Sequence, residues 1–262
     1  MIKSTANEKI KHISLLVKSA KARRKEGLFV VEGERMAAEI PKDLLVECFV
    51  SEDYMDSGRF ENIFSYEVDP VTVSSDVFKK MSDTQSPQGI MCVCRKKNMP
   101  VGQLLDAHRD DIHLLVLEKI QDPGNLGTMV RTAEGAGFDA VIADEETVDI
   151  YNPKVTRSTM GSLFRIPVIY VQDLLGTVET LKNEKVKVFA SHLDAVSDYR
   201  QEHYGKRVAI LVGNEGNGLS DELFKRSDVS VVIPMQGKLE SLNAAVAAAL
   251  IMYECGRNSS LS

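Results

Sequence analysis

Six short apolar runs, at 113–117, 140–143, 167–171, 186–190, 208–212 and 229–233, punctuate the second half of this chain and constrain its fold most. Each is too short for a typical buried helix and lacks the polar alternation of a strand with one wet face. Between them, residues 126–136 and 174–181 show helical periodicity, and a closing helix is predicted from Leu242. Continuous apolar strands alternating with helices describe an α/β fold with a mostly parallel sheet covered on both sides.

Ahead of this region the elements are less regular. Strands are predicted at 28–31, 44–50 and 89–94, a helix over 34–39 stopped by Pro41, and another closing at 77–81. Arg95-Lys96-Lys97-Asn98-Met99-Pro100 then interrupts the pattern with charge and proline. The expected organisation is a smaller α/β domain over 1–97, a linker over 98–110 and a larger domain over 111–262. The smaller one is within the size range that folds alone.

Near the N-terminus, Lys3, Lys9, Lys11, Lys18, Lys21, Arg23, Arg24 and Lys25 are opposed only by Glu8 and Glu26. Ile10, Ile13, Leu16, Val17 and Ala20 recur among them at helical spacing, which predicts one amphipathic basic helix. A solvated helix face would look the same. In a chain whose formal net charge is −6, such a density of positive charge nevertheless points to phosphate binding.

Several function classes are disfavoured. No run approaches the ~20 apolar residues of a membrane helix. Met1-Ile2-Lys3-Ser4 does not begin a secretory signal, so a cytoplasmic protein is expected. The four cysteines, Cys48, Cys92, Cys94 and Cys255, are too sparse for a disulfide framework. Cys92 and Cys94 face one side of a strand and are expected to be a reduced core pair. No cluster has zinc-ligand spacing, so no metal is expected.

Chemistry gathers in three loops after predicted strands, where open parallel sheets bind ligands. In the first, Pro123-Gly124 makes a turn, Asn125 is placed to cap the next helix, and Arg131 projects from that helix. A planar cation near a helix start suits a phosphodiester. The second, Gly213-Asn214-Glu215-Gly216-Asn217-Gly218, has glycines that allow close approach of backbone to a ligand. Their order reverses the dinucleotide fingerprint, and the Lys-Ser/Thr of a phosphate loop is missing, which disfavours a nucleotide-dependent oxidoreductase. The third runs from Ile233-Pro234-Met235 through Gly237 to Ser241-Leu242-Asn243. Ser241 is the expected N-cap there, and Ala245, Val246, Ala249, Leu250 and Tyr253 form a stripe suited to close helix packing.

In this order and spacing, the three loops resemble the signature motifs of the SpoU/TrmH family of RNA ribose 2′-O-methyltransferases, in the SPOUT superfamily. Asn125-x-Gly127-x-x-x-Arg131-x-Ala133 is similar to the first motif, Gly213-Asn214-Glu215-Gly216-x-Gly218 to the second, and Ile233-Pro234-Met235 through Ser241-Leu242-Asn243-Ala244 to the third. Phe29-Val30-Val31-Glu32-Gly33 and Ser86-Pro87-Gln88-Gly89-Ile90 resemble the substrate-binding domain that precedes the catalytic domain in many members.

The resemblance implies a C-terminal segment threaded through a trefoil knot, with S-adenosylmethionine bound there mainly by backbone groups. It also implies a homodimer with active sites near the subunit interface. Gly213, Ile233 and Leu242, with Met235 and Gly237 nearby, are the implied cofactor contacts. Arg131, Asn125, Glu215, Ser241 and Asn243 are the implied catalytic group. The implied substrate is RNA, with ribosomal RNA favoured over transfer RNA because of the dedicated N-terminal domain. A non-catalytic ribosome- or RNA-binding protein of the same fold is the competing expectation, opposed by the intact Arg131 and Ser241-Leu242-Asn243.

Overall fold

The computed structural model describes residues 1–259, of which 257–259 as helix backbone only. In chain order the elements begin α1 (Glu8–Lys18), α2 (Ala20–Glu26), β1 (Leu28–Glu32), α3 (Glu34–Ala38), β2 (Leu45–Ser51), α4 (Glu52–Asp56), β3 (Val71–Val73), α5 (Ser75–Met81) and β4 (Ile90–Arg95). They continue with α6 (Val101–Ala107), β5 (Ile112–Leu117), α7 (Pro123–Gly135), β6 (Ala140–Asp144), α8 (Pro153–Thr159), β7 (Val168–Val171) and α9 (Leu174–Asn183). The last are β8 (Lys187–Ser191), β9 (Ser197–Asp198), β10 (Arg207–Val212), α10 (Asp221–Phe224), β11 (Val229–Val232) and α11 (Ala244–Ser259). No described helix is long and apolar enough to cross a membrane.

Two compact units form: Met1–Lys97 together with Asp149–Phe164, and Asn98–Val148 together with the chain from Arg165 onward. In the first, four strands are ordered β1-β4-β2-β3. Strand β4 runs antiparallel to β1 and β2, and β3 parallel to β2. Both faces are covered. Val30, Phe49, Met91 and Val93 pack against Ile10, Ile13, Leu16 and Phe78. Phe29, Val31, Cys48, Val50, Cys92 and Cys94 pack on the other side with Met36, Ile40 and Tyr54. All four cysteines are buried free thiols, and Cys92 Sγ lies 3.5 Å from Cys48 Sγ across the β2–β4 pair.

The basic N-terminal segment is two helices, where one was expected. Ser19 adopts an extended conformation; its N–H donates to the Leu15 carbonyl, and its hydroxyl accepts from Ala22 N. Ending α1 there orphans its last carbonyls, and Arg23 fills the gap. Its Nη1 donates to the Leu16 and Val17 carbonyls at 2.7 and 3.1 Å, and Nη2 pairs with Asp149 at 2.8 Å. Arg23 is only 2% exposed, so it leaves the set of candidate phosphate-binding cations.

The second unit carries seven strands ordered β7-β6-β5-β10-β8-β11-β9, every adjacent pair parallel. Leu114, Val116, Ile142, Val188, Ala209 and Leu211 face Val178 and Leu181 of α9. The segment expected to be a plain linker contains α6, whose Leu104 and Leu105 join this same core.

Against the other side of the sheet, α11 packs on α7 and β10. Its buried residues include Ala245, Ala248, Ile251, Met252 and Cys255. The expected stripe is therefore rotated: Val246, Leu250 and Tyr253 are exposed. Periodicity located an apolar helix but not which of two apolar faces meets the sheet.

Candidate active site

The site is assembled at the carboxyl ends of β5, β10 and β11. Strand β5 runs into Glu118, whose buried carboxylate accepts the Ser220 N–H at 2.7 Å and so anchors the far end of the β10 loop. Lys119 follows with φ of 54°. Its N–H is held by both carboxylate oxygens of Asp144, at 3.0 and 3.1 Å, and its carbonyl accepts from Asn214 Nδ2 at 2.8 Å.

Helix α7 starts at Pro123, and its N-cap is Asp122, whose carboxylate accepts the Asn125 N–H at 2.8 Å. Asn125 was the expected cap; it sits instead in the first turn, because Pro fits N1 and the residue before it takes the extended cap conformation. That frees the Asn125 side chain to bridge. Its Nδ2 donates to Glu215 Oε1 at 3.0 Å, and its Oδ1 accepts from Asn243 Nδ2 at 2.9 Å.

Asn243 in turn caps α11, its Oδ1 accepting from Ala245 N at 2.9 Å and Val246 N at 3.3 Å. It takes the position expected for Ser241. One chain of side-chain bonds, Glu215 to Asn125 to Asn243, thus joins all three loops.

Glu215 accepts further from Gln121 N at 3.1 Å and Asp122 N at 3.0 Å. Partial burial works against its charge. The Asn125 amide and the N–H groups of Asp122, Glu215 itself and Gln121 outweigh it and hold the carboxyl below its ordinary range. Glu215 is therefore a fixed anion that ties loops together, with its lone pairs committed.

The loop over 213–218 closes on itself. Asn214 and Gly218 exchange backbone hydrogen bonds at 3.0 and 2.9 Å, and Asn214 Oδ1 accepts from Gly216 N and Asn217 N. A Cβ on Gly213 would lie 2.2 Å from the Gly218 carbonyl carbon and Leu219 N. Glycine is thus required there by the loop's own backbone, before any ligand is considered.

Two of the implied catalytic residues take no part in this network. Arg131 is exposed and has no hydrogen-bond or ion-pair partner among the described residues. Six residues beyond Asn125, it lies about 240° around α7 and ~9 Å along it. Ser241 is also exposed and outside the network.

Of the implied cofactor contacts, Ile233, Met235 and Leu242 are half-buried and Gly237 is exposed. Between 234 and 241 no backbone group bonds to another backbone group among the described residues. Uncommitted N–H and C=O groups beside half-buried apolar side chains fit an adenosyl group, which needs an apolar slot and polar edges.

Asp122, Glu118 and Asp144 lie outside the motif positions read from the sequence, and Asn214 was legible there only as a motif member, without its bond to Lys119. The Asp122-Pro123 pair carries a legible cap-then-proline signal. Nothing local marks Glu118, whose partner Ser220 lies in another loop; Asp144 binds Thr147 three residues on as well as Lys119 N in another loop.

The chain is similar to known proteins along nearly its whole length. The model of the SpoU rRNA Methylase family matches residues 113–253, and that of the MRM3-like substrate binding domain matches residues 7–92. The chain is 36% identical over 258 residues to the 23S rRNA (guanosine(2553)-2′-O)-methyltransferase RlmP of Bacillus subtilis (strain 168), covering 96% of this chain and 97% of that protein. Similar solved structures include an RNA 2′-O ribose methyltransferase, 30% identical with a TM-score of 0.79 and 98% of each chain covered. Another is the AdoMet-bound rRNA methyltransferase from Sinorhizobium meliloti, 28% identical with a TM-score of 0.81, covering 98% of this chain and 97% of that one. With three motif loops tied by one hydrogen-bonded network and the likeness running through nearly the whole chain, this protein belongs to the SpoU rRNA methylase family.

Proposed function

We propose that this methyltransferase transfers the methyl group of S-adenosylmethionine to a ribose 2′-hydroxyl of ribosomal RNA, in the cytoplasm. The observation that carries the reading is the Glu215–Asn125–Asn243 network, which brings three distant motifs to one place. Ribosomal RNA is favoured over transfer RNA by the activity of the Bacillus subtilis relative, which matches along nearly its whole length.

Bound S-adenosylmethionine would supply an activated methyl group for in-line displacement, leaving the chain to position and deprotonate a poor nucleophile. Gly213, Ile233, Met235, Gly237 and Leu242 would hold it, largely through backbone groups. Arg131 would meet the phosphate and the ribose oxygen, stabilising alkoxide character as the proton leaves. A guanidinium keeps its proton, so this role is electrostatic rather than that of a base. Asn125, Ser241 and Asn243 would orient the ribose side of the site, while Glu215 keeps the loops in register.

A homodimer accounts for the position of Arg131. It lies three residues from Thr128 and four from Gly135, neighbours on one helix face. Both line a groove with Val246, Leu250 and Tyr253, the exposed apolar face of α11. A second copy covering that face would bring Arg131 to a shared boundary.

The threaded path fits as well. Ser191 of β8 and Ser197 of β9 both register with Val231 of β11, from opposite sides, so residues 192–196 must cross that strand.

Arg131→Ala is expected to lower methyl transfer by at least ~100-fold, as loss of a transition-state charge partner does. S-adenosylmethionine affinity by calorimetry should stay within a few fold. Mass spectrometry of ribosomal and transfer RNA nucleosides, from cells with and without the protein, tests the substrate. Absence of any lost 2′-O-methyl signal in ribosomal RNA overturns the assignment.

A further inference from the structure

In the loop after β5, the N–H groups of residues 119–122 are each held by a side chain from another loop. Gln121 and Asp122 use Glu215, as described above. Lys119 and Ile120 use Asp144, which ends β6, and Thr147 in the loop beyond it. Lys119 N lies 3.0 and 3.1 Å from the two carboxylate oxygens of Asp144. Ile120 N donates to Thr147 Oγ1 at 3.1 Å, and that hydroxyl donates in turn to Asp144 Oδ1 at 2.7 Å. Thr147 N donates to the same oxygen at 2.9 Å. A return bond closes the brace, from Val148 N to the Ile120 carbonyl at 2.8 Å.

Asp144 and Thr147 are buried, 8% and 4% exposed. Taking a carboxylate out of water is costly unless donors replace the water, and here Lys119 N, Thr147 N and the Thr147 hydroxyl do so.

What these bonds hold is a strained turn. Lys119 has φ of 54°, in the left-handed region that a side chain disfavours. Its ammonium does not explain the strain, since it makes only a surface pair with Glu146, of a kind that contributes little. A backbone in a sparsely populated region persists where its surroundings over-determine it. The turn gives the Lys119 carbonyl to Asn214 Nδ2 and the next N–H groups to Glu215.

We infer that Asp144 and Thr147 are positioning residues for methyl transfer. By keeping Lys119 in its left-handed turn, they set the Gln121 and Asp122 N–H groups on Glu215, and through Glu215 the Asn125 and Asn243 side chains. Their part in the reaction rests on the proposed function; the hold on the loop does not.

The test uses the full chain and ribosomal RNA from cells lacking the protein. Asp144→Asn keeps the size of the side chain but sets an amide nitrogen against Lys119 N–H, donor against donor. Hydrogen exchange over residues 119–122, followed by mass spectrometry, should quicken by about tenfold or more. The turnover number should fall by about tenfold, the size of loss that a small misplacement produces. The KM for RNA and the affinity for S-adenosylmethionine should stay within about threefold, as for a group that acts on the transfer step.

Lys119→Gly alone should leave turnover within about twofold, because glycine takes the left-handed conformation freely. Added to Asp144→Asn, it should bring turnover back to within about threefold of the unaltered protein, since the turn no longer needs holding. A general loss of stability is not repaired by a glycine. If Asp144→Asn does not fold, Thr147→Val, which loses only the hydroxyl, should cost a few fold in turnover, and Thr147→Ser, which keeps it, should not.

Folded variants with unchanged turnover, or a loss in Asp144→Asn that Lys119→Gly fails to relieve, overturn the inference and leave the proposed function intact. An unaltered protein that transfers no methyl group to RNA overturns the proposed function, while exchange over 119–122 still reports whether Asp144 holds the turn.

Discussion

Glu32 at the end of β1 and Glu215 in the β10 loop both accept several hydrogen bonds, yet their surroundings drive them in opposite directions. Glu32 is 7% exposed and accepts from the Ser82 hydroxyl at 2.7 and 2.9 Å and the Thr84 hydroxyl at 2.9 Å. Burial dominates and pushes its pKa up, despite help from those hydroxyls and the Arg157 charge. At Glu215 burial also opposes ionisation, but the Asn125 amide and the backbone N–H groups prevail.

The difference lies in the donors. Backbone N–H groups at a helix start are fixed, point one way and carry the favourable end of the helix dipole. The Ser82 hydroxyl is shared, lying 2.8 Å from Thr84 Oγ1 as well. One region stabilises an anion; the other tolerates a carboxyl at some cost.

The largest expected effect breaks the stabilised side. Glu215→Gln sets an amide NH2 against the N–H groups of Gln121 or Asp122, so the loops must shift. Methyl transfer should fall by about 100-fold, the scale of loss for a displaced catalytic group. Undiminished turnover would show that the network does not position the site.

Acid titration sharpens the same point. The folded pKa of Glu215 lies below its ordinary value of 4.5, so its contribution to stability is complete above 4.5 and is lost as pH falls through the folded value. The difference in melting temperature between the unaltered protein and Glu215→Gln should therefore be constant near neutrality and shrink in acid.

Asn243→Ala removes both the α11 cap and the link to Asn125. Urea unfolding should show a loss of ~1 kcal/mol, typical of a missing cap, with a fall in transfer smaller than that of Glu215→Gln.

The smallest effect is at Glu32. Its folded pKa lies above the ordinary 4.5, so its contribution is complete below 4.5 and is lost as pH rises through the folded value. Glu32→Gln keeps an acceptor for the hydroxyls and should stabilise the protein by roughly 1 kcal/mol or less near pH 7, the net scale of a single hydrogen bond. The gain should vanish in acid. A variant less stable at neutral pH than in acid would contradict the contrast.

Much of the architecture was legible in the sequence because buried parallel strands must be apolar on both faces. The runs at 140–143 and 208–212 sit inside β6 and β10. The elements that escaped notice are short: β3, α4, α6, α8, β9 and α10 offer too few residues for a period to register. At the site, the motif residues could be named, but their partners could not. Asn125 looked like a cap and is a bridge, whereas Ser241 yielded the capping position to Asn243. Arg23, one of a run of surface-like cations, is buried because Ser19 breaks the helix and leaves carbonyls for it to satisfy.

By itself, the sequence determined the α/β class, the order of the three motif loops and the residue types available at each, because periodicity and turn chemistry are local properties. Only the tertiary structure decided that β10 lies between β5 and β8, which is what sets Glu215 against Asn125 across 90 residues of chain. It also decided which face of α11 is buried and that Asp149–Phe164 packs with the first unit. Local pattern reports that a residue will be covered or bonded; the identity of its partner depends on how distant segments close on one another.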